Sequence, residues 1–145
     1  MNKSKAAALL SYYGPYLAWL VALIATLGSL YYSEIAGFVP CKLCWYQRIL
    51  MYPLTIIILV SILRQNQYLG SYVLPFSITG LLVAFYHVLL EWGIVPEGNT
   101  CAGGVPCGLR YVNYLGFITI PFQSLVAFIL ITLLVVGVWW AWRQE

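Results

Sequence analysis

The chain has 145 residues, 63% of them hydrophobic and 8% charged, with a net charge of +3. Soluble domains run at roughly 45–50% apolar and about 25% charged, so too few charged groups remain here to cover a water-facing surface. The same numbers exclude a disordered chain, and 7 scattered Lys and Arg form no basic patch for nucleic acid. The composition is that of an integral membrane protein.

Four charge-free runs, 6–33, 49–63, 65–90 and 111–142, locate the spans. A helix needs about 20 apolar residues, at ~1.5 Å each, to cross ~30 Å of hydrocarbon. The second run reaches that length only if its helix starts near Trp45 and takes Arg48 inside the membrane boundary. The pattern predicts a single all-α membrane domain, an antiparallel four-transmembrane-helix bundle with helices over about 14–34, 45–63, 71–91 and 120–142. Lys3 and Lys5 precede the first run as they would in a secretory signal. A signal core, however, is about 7–15 residues and ends at a small-residue site. This run has 28 residues, and Tyr31-Tyr32-Ser33-Glu34 is no such site.

With four spans both termini share one side, together with Lys3, Lys5, Arg64 and Arg143, against Lys42, Arg48 and Arg110 on the other. The excess of basic residues predicts cytoplasmic termini. All four cysteines (Cys41, Cys44, Cys101 and Cys107) then lie on the outer side, where disulfide chemistry persists. The link Arg64-Gln65-Asn66-Gln67 is short enough to force antiparallel neighbours. The outer connection over about 92–119 is long and carries Gly93, Pro96, Gly98, Gly103, Gly104, Pro106 and Gly108, which disfavour helix. Within it, 111–120 reads as a stretch lying along the outer surface. Tyr31, Tyr32, Trp45, Tyr46, Trp92, Trp139, Trp140 and Trp142 gather at the span ends as interfacial anchors.

Pro40 opens the second helix, and Cys41 and Cys44 at i and i+3 share a face within its first turn, in reach of a disulfide. Unpaired N–H groups and the helix dipole there favour a thiolate. Arg48 lies four residues after Cys44 on the same face. It marks the membrane boundary by snorkelling, or it holds a polar or anionic group beside Cys44, such as a quinone carbonyl. His87, the lone histidine, falls at the same depth on the third helix. It reads either as a satisfied interfacial side chain or as a partner for a bound carbonyl and a proton carrier. Glu91, one turn on, reads as solvated or else as assisting His87. Cys101 and Cys107 are separated by five residues that include two glycines and a proline, so a local bridge is feasible. On a mobile outer loop that bridge is accessible to a partner's thiolate. No metal is expected. One cysteine pair opens a membrane helix and the other is widely spaced, unlike a zinc knuckle.

The segment Pro40-Cys41-Lys42-Leu43-Cys44-Trp45-Tyr46-Gln47-Arg48 resembles the signature of the DsbB/BdbC family of bacterial disulfide bond formation proteins. The likeness extends to the four spans, the later cysteine pair, Tyr86-His87, and Leu115-Gly116-Phe117-Ile118-Thr119-Ile120-Pro121 before the last helix. It implies a protein-thiol:quinone oxidoreductase of the bacterial cytoplasmic membrane, with a secreted or membrane-anchored thioredoxin-like DsbA/BdbD-type oxidase as partner. By resemblance Cys101 and Cys107 exchange with that partner, either of them being the one attacked. Cys41 and Cys44 then reoxidise the loop pair. Cys44 faces a bound quinone with Arg48 and His87 around its head group. The compact loop looks like Gram-positive members and favours menaquinone over ubiquinone.

Two rivals stand beside this reading. A vitamin K epoxide reductase-like enzyme carries its cysteine pairs in the reverse order. An inert disulfide-bonded tetraspan scaffold would use Arg48 only as a boundary marker.

Overall fold

The computed structural model describes residues 3–144. Four long helices account for most of it: α1 (Lys3–Leu30), α2 (Lys42–Leu63), α3 (Leu69–Glu91) and α4 (Ile120–Trp142). Each is long and apolar enough to cross a membrane. Even the shortest, at 22 residues, spans ~33 Å. Among the described residues there is no strand, only an isolated bridge between Tyr114 and Ile118. Each helix packs on two neighbours in the cyclic order α1–α2–α3–α4. The chain is a multi-pass membrane protein with a four-helix bundle and a cysteine-containing loop between α3 and α4.

The helix ends follow from capping chemistry. α2 and α3 both stop in a Schellman motif. Gln65 and Gly93 take the left-handed conformation at φ 48° and 75°. Asn66 N then bonds to Ser61 O, and Ile94 N to Leu89 O. α4 starts at a proline near its first position, behind Thr119. α1 differs from the sequence expectation by starting at Lys3 rather than near residue 14. Its first turns are Ala- and Leu-rich and find a surface to pack on, with Leu10 against Gly137 and Gly14 against Val138 of α4. At its other end α1 widens into a π-helix over Tyr31–Ile35.

The bundle core holds small residues that let backbones approach, Ala18 and Ala22 on α1, Ala84 on α3 and Ala127 on α4, around Leu54, Ile58 and Phe128. Outward faces carry Ile24, Ile49, Ile56, Leu82 and Leu133, as lipid-facing positions should. Polar pairs also cross between helices, among them Thr26 Oγ1 with Thr55 Oγ1 at 3.0 Å, and Tyr32 OH donating to Gln123 Oε1 at 3.1 Å.

Between the 3-10 turn at Asn99–Cys101 and α4 the chain makes a tight hairpin, with Leu115 and Gly116 both at positive φ. Tyr114, Leu115 and Phe117 project from it exposed. Within this stretch the Tyr114–Ile118 bridge closes a compact turn before α4.

The Phe128 ring occupies the space where a Cβ on Gly80 would stand. Gly80→Ala should displace it and lower stability by about 1–3 kcal/mol, read as a lower thermal midpoint in detergent. Gly28→Ala, whose Cβ meets nothing within 4 Å, should leave the midpoint undiminished.

Candidate active site

The site begins at the N-terminus of α2. Cys41 is its N-cap, in extended conformation, and its sulfur accepts the backbone N–H of Cys44 at 3.4 Å. The sequence expectation began this helix near Trp45; a sulfur serving as cap lets it start at Lys42 instead. Cys41 and Cys44 are reduced, their sulfurs 3.2 Å apart and hydrogen-bonded.

His87, 1% exposed, meets this pair from α3. Its Nε2 lies 3.7 Å from Cys41 Sγ and 3.0 Å from the carbonyl oxygen of Cys107, while Nδ1 is 2.9 Å from Gln47 Nε2. With the Gln47 amide donating, Nδ1 is the acceptor and the ring proton sits on Nε2, where the Cys107 carbonyl accepts it. Hydrogen bonding with Cys44 and with His87 outweighs burial and holds the Cys41 thiol below its ordinary value of 9.0, at about 4.

Arg48 is half-buried on the next turn of α2. Its Nη2 donates to Ser29 O of α1 at 3.0 Å, just before the π-helix, and its guanidinium lies 5.3 Å from the Trp45 ring centroid. Tyr52 OH donates to Ser29 Oγ at 3.3 Å. Arg48 and His87 make no contact with each other, but both line one cavity of about 500 Å³. Cys41, Cys44, Gln47 and Cys107 border the same cavity, which continues between apolar residues such as Ile24, Met51 and Leu130.

Cys101 and Cys107 form a disulfide with Cα atoms 5.8 Å apart. The expectation that it stands accessible on a mobile loop is corrected here. The two residues are only 6% and 2% exposed, and they cluster with Cys41, Leu43 and Leu90. The small ring is apolar, so it packs down on the ends of α2 and α3, and polar clamps hold the loop around it. Glu97 Oε1 accepts Gly108 N at 2.6 Å. Arg110 donates to Glu91 O at 3.0 Å and places its Nε 3.3 Å from Glu91 Oε1, an ion pair without hydrogen-bond alignment. Glu91 Oε2 accepts Thr119 Oγ1 at 2.7 Å. Glu91 is therefore buried and paired rather than solvated, because its partners arrive from across the loop.

The structure thus gathers Cys41, Cys44, Cys107, His87 and Arg48 around one cavity, with Cys101 packed beside Cys41 and bonded to Cys107. Sequence reasoning did not single out Gln47, although it lies inside the quoted motif and a buried amide on an apolar helix is itself a signal. The sulfurs of Cys41 and Cys44 and a ring nitrogen of His87 also lie within 4.8 Å of one another. The expectation of no metal weighed only the spacing of the cysteines and left His87 out.

Because the Cys41 thiol is depressed, its thiolate persists below the ordinary thiol range and is lost only as pH falls through about 4. Alkylation of Cys41 in the reduced protein, followed by peptide mapping, should stay level down to about pH 5, where an ordinary thiol slows ~10-fold per unit. Arg110→Met should leave Glu91 buried without its cation and loosen the loop. Reduction of the Cys101–Cys107 bridge by a small phosphine should then run several-fold faster than in the unmodified chain.

A family model described as "Disulfide bond formation protein DsbB" matches residues 14–142. Among curated relatives, the "Disulfide bond formation protein C" of Bacillus subtilis is 51% identical over 121 residues, covering 80% of this chain and 85% of that protein. The "Probable disulfide formation protein" of Oceanobacillus iheyensis is 50% identical over 123 residues, covering 81% and 83%. No solved structure matches. With the match running through all four helices and both cysteine pairs, the chain belongs to the DsbB family of disulfide bond formation proteins.

Proposed function

We propose that this membrane protein reoxidises a thioredoxin-like DsbA/BdbD-type thiol oxidase outside the cytoplasmic membrane and passes the two electrons to a quinone. The observation that carries the reading is one cavity bordered by Cys41, Cys44, Cys107, Arg48 and His87, polar at one end and apolar beyond, with Cys101 packed in the same cluster behind Cys107. A disulfide and a dithiol packed in one cluster are poised for exchange with each other, which an inert scaffold would not need. Termini on the cytoplasmic side, from the basic-residue balance, put that cluster at the outer face.

The order of events follows from the bonds. The partner's thiolate attacks the Cys101–Cys107 bridge, and its second thiol resolves the mixed disulfide, leaving the loop pair reduced and the partner oxidised. The loop must lift from Leu43 and Leu90 for this, given the burial of Cys101 and Cys107. The loop dithiol then exchanges with a Cys41–Cys44 disulfide, restoring the loop bridge and leaving Cys41 and Cys44 reduced. This is the redox state of the structure. Finally Cys41 and Cys44 reform their bond, losing two electrons and two protons.

A quinone supplies the acceptor for both. The cavity suits it: a volume of about 500 Å³ is within the usual range for small-molecule sites, and its apolar walls continue along α1 and α4 past the lipid-facing Ile24 and Leu130. Arg48, holding Ser29 O with one Nη, keeps further N–H groups for a carbonyl oxygen. Cys44 lies one turn above it. His87 Nε2–H, 3.7 Å from Cys41 Sγ, is placed to give a proton to that sulfur. The compact loop favours menaquinone as acceptor.

The test is reoxidation of a reduced thioredoxin-like partner by the purified protein, with and without added menaquinone. Turnover should depend on quinone and fall to background in both Cys44→Ser and Cys107→Ser. Absence of turnover, with the cysteines locked against mild reductant, would leave the scaffold reading standing.

A further inference from the structure

The reduced Cys41–Cys44 pair and His87 have the donor set and the spacing of a metal site. Cys41 Sγ lies 3.2 Å from Cys44 Sγ and 3.7 Å from His87 Nε2, and all three donors fall within 4.8 Å of one another. Tetrahedral zinc, with Zn–S near 2.3 Å and Zn–N near 2.0–2.1 Å, sets S···S edges of about 3.8 Å and S···N edges of about 3.6 Å. One sulfur–nitrogen edge already has about that length, the sulfurs need to part by about half an ångström, and Cys44 Sγ, within 4.8 Å of the His87 ring nitrogen, closes the third edge by a rotamer shift. Two thiolates and an imidazole select soft and borderline cations over magnesium or calcium.

Gln47 supports the ring in either role. With its NH2 group on Nδ1, the imidazole proton is on Nε2. With the amide turned over, Oε1 accepts from Nδ1–H and the Nε2 lone pair is freed for a metal once the Cys107 carbonyl, 3.0 Å away, gives up its hydrogen bond and moves off. All three donors border the cavity, which leaves room for water as a fourth ligand.

We propose that reduced Cys41, reduced Cys44 and His87 Nε2 form a redox-gated site for a thiophilic divalent cation, zinc or cadmium. The cation binds the two sulfurs as thiolates, any thiol proton still present going to solvent, and no electrons move. In the disulfide state neither sulfur is a thiolate, so the site disappears. Within the relay proposed above, a cation held there ties up the two sulfurs awaiting oxidation and inhibits the reduced enzyme. The binding itself does not depend on that relay.

The experiment uses the full chain carrying Cys101→Ser and Cys107→Ser, whose only thiols are Cys41 and Cys44, in detergent with a phosphine reductant. Titration with Co2+ should give one equivalent per chain, with thiolate-to-cobalt charge transfer and tetrahedral d–d bands that one equivalent of Zn2+ displaces. The oxidised chain should give none. Cys44→Ser should abolish the bands, and Gln47→Ala should weaken the cation by about 10–100-fold, with helical circular dichroism confirming each fold. The unmodified chain, reduced until two thiols are counted and the loop bridge remains, should give the same stoichiometry. A reduced chain with two thiols and no bands, equal binding after oxidation, or unchanged affinity in His87→Gln would each overturn the proposal. None of these readouts requires quinone turnover, so the relay can fail while the site stands, and the reverse.

Discussion

The imidazole of His87 joins parts of the chain that arrive from three directions. It is buried to 1% exposure on α3, so both of its nitrogens need partners. One is satisfied by Gln47 of α2 and the other by the Cys107 carbonyl of the outer loop. Leaving either unpaired would cost about 1–3 kcal/mol. That requirement seats the loop on the ends of α2 and α3, and the loop disulfide comes down beside the Cys41–Cys44 dithiol as a consequence. The redox arrangement is set by hydrogen-bond satisfaction around one side chain.

A second constraint acts at the end of α3. Glu91 is the helix's last residue, where the macrodipole disfavours negative charge, and it is buried as well. Arg110 answers both problems at once, with Nη2 on the Glu91 carbonyl and Nε beside its carboxylate. Thr119, the N-cap residue of α4, gives its hydroxyl to Glu91 rather than to its own helix. The start of α4, the end of α3 and the root of the loop are therefore one polar unit. The opening of the loop and the packing of α4 are coupled through it.

Much of this was legible in the sequence, for physical reasons that differ by element. Charge-free runs place three span ends closely, because hydrocarbon thickness and helix rise set a length that composition alone reveals. The start of α1 was not legible, since Leu10 and Gly14 pack against Gly137 and Val138, more than a hundred residues away. The Cys101–Cys107 bridge was readable from spacing. Its burial was not, because that depends on Arg110 meeting Glu91 across 19 positions. Gln47 stood in plain view within the motif. What no spacing rule conveys is that its amide meets a histidine 40 positions on.

The two sulfurs of the Cys-x-x-Cys segment have different surroundings, and the difference originates in helix geometry. Cys41 is the cap, outside the first turn, so its sulfur receives the Cys44 N–H and faces His87, which also holds the loop carbonyl. Cys44 is inside the helix, one turn before Arg48, on the face that descends past Met51 along the cavity. On the proposed relay, exchange with the loop and delivery to a quinone need opposite settings. The first needs a thiolate near a disulfide and a proton carrier, the second an apolar space with a cation for a developing oxyanion. A single helical turn supplies both, since one residue stands before the helix and the other within it. The same turn explains why a Cys-x-x-Cys placed mid-helix would not serve: both sulfurs would lose the free N–H groups that only a helix start provides.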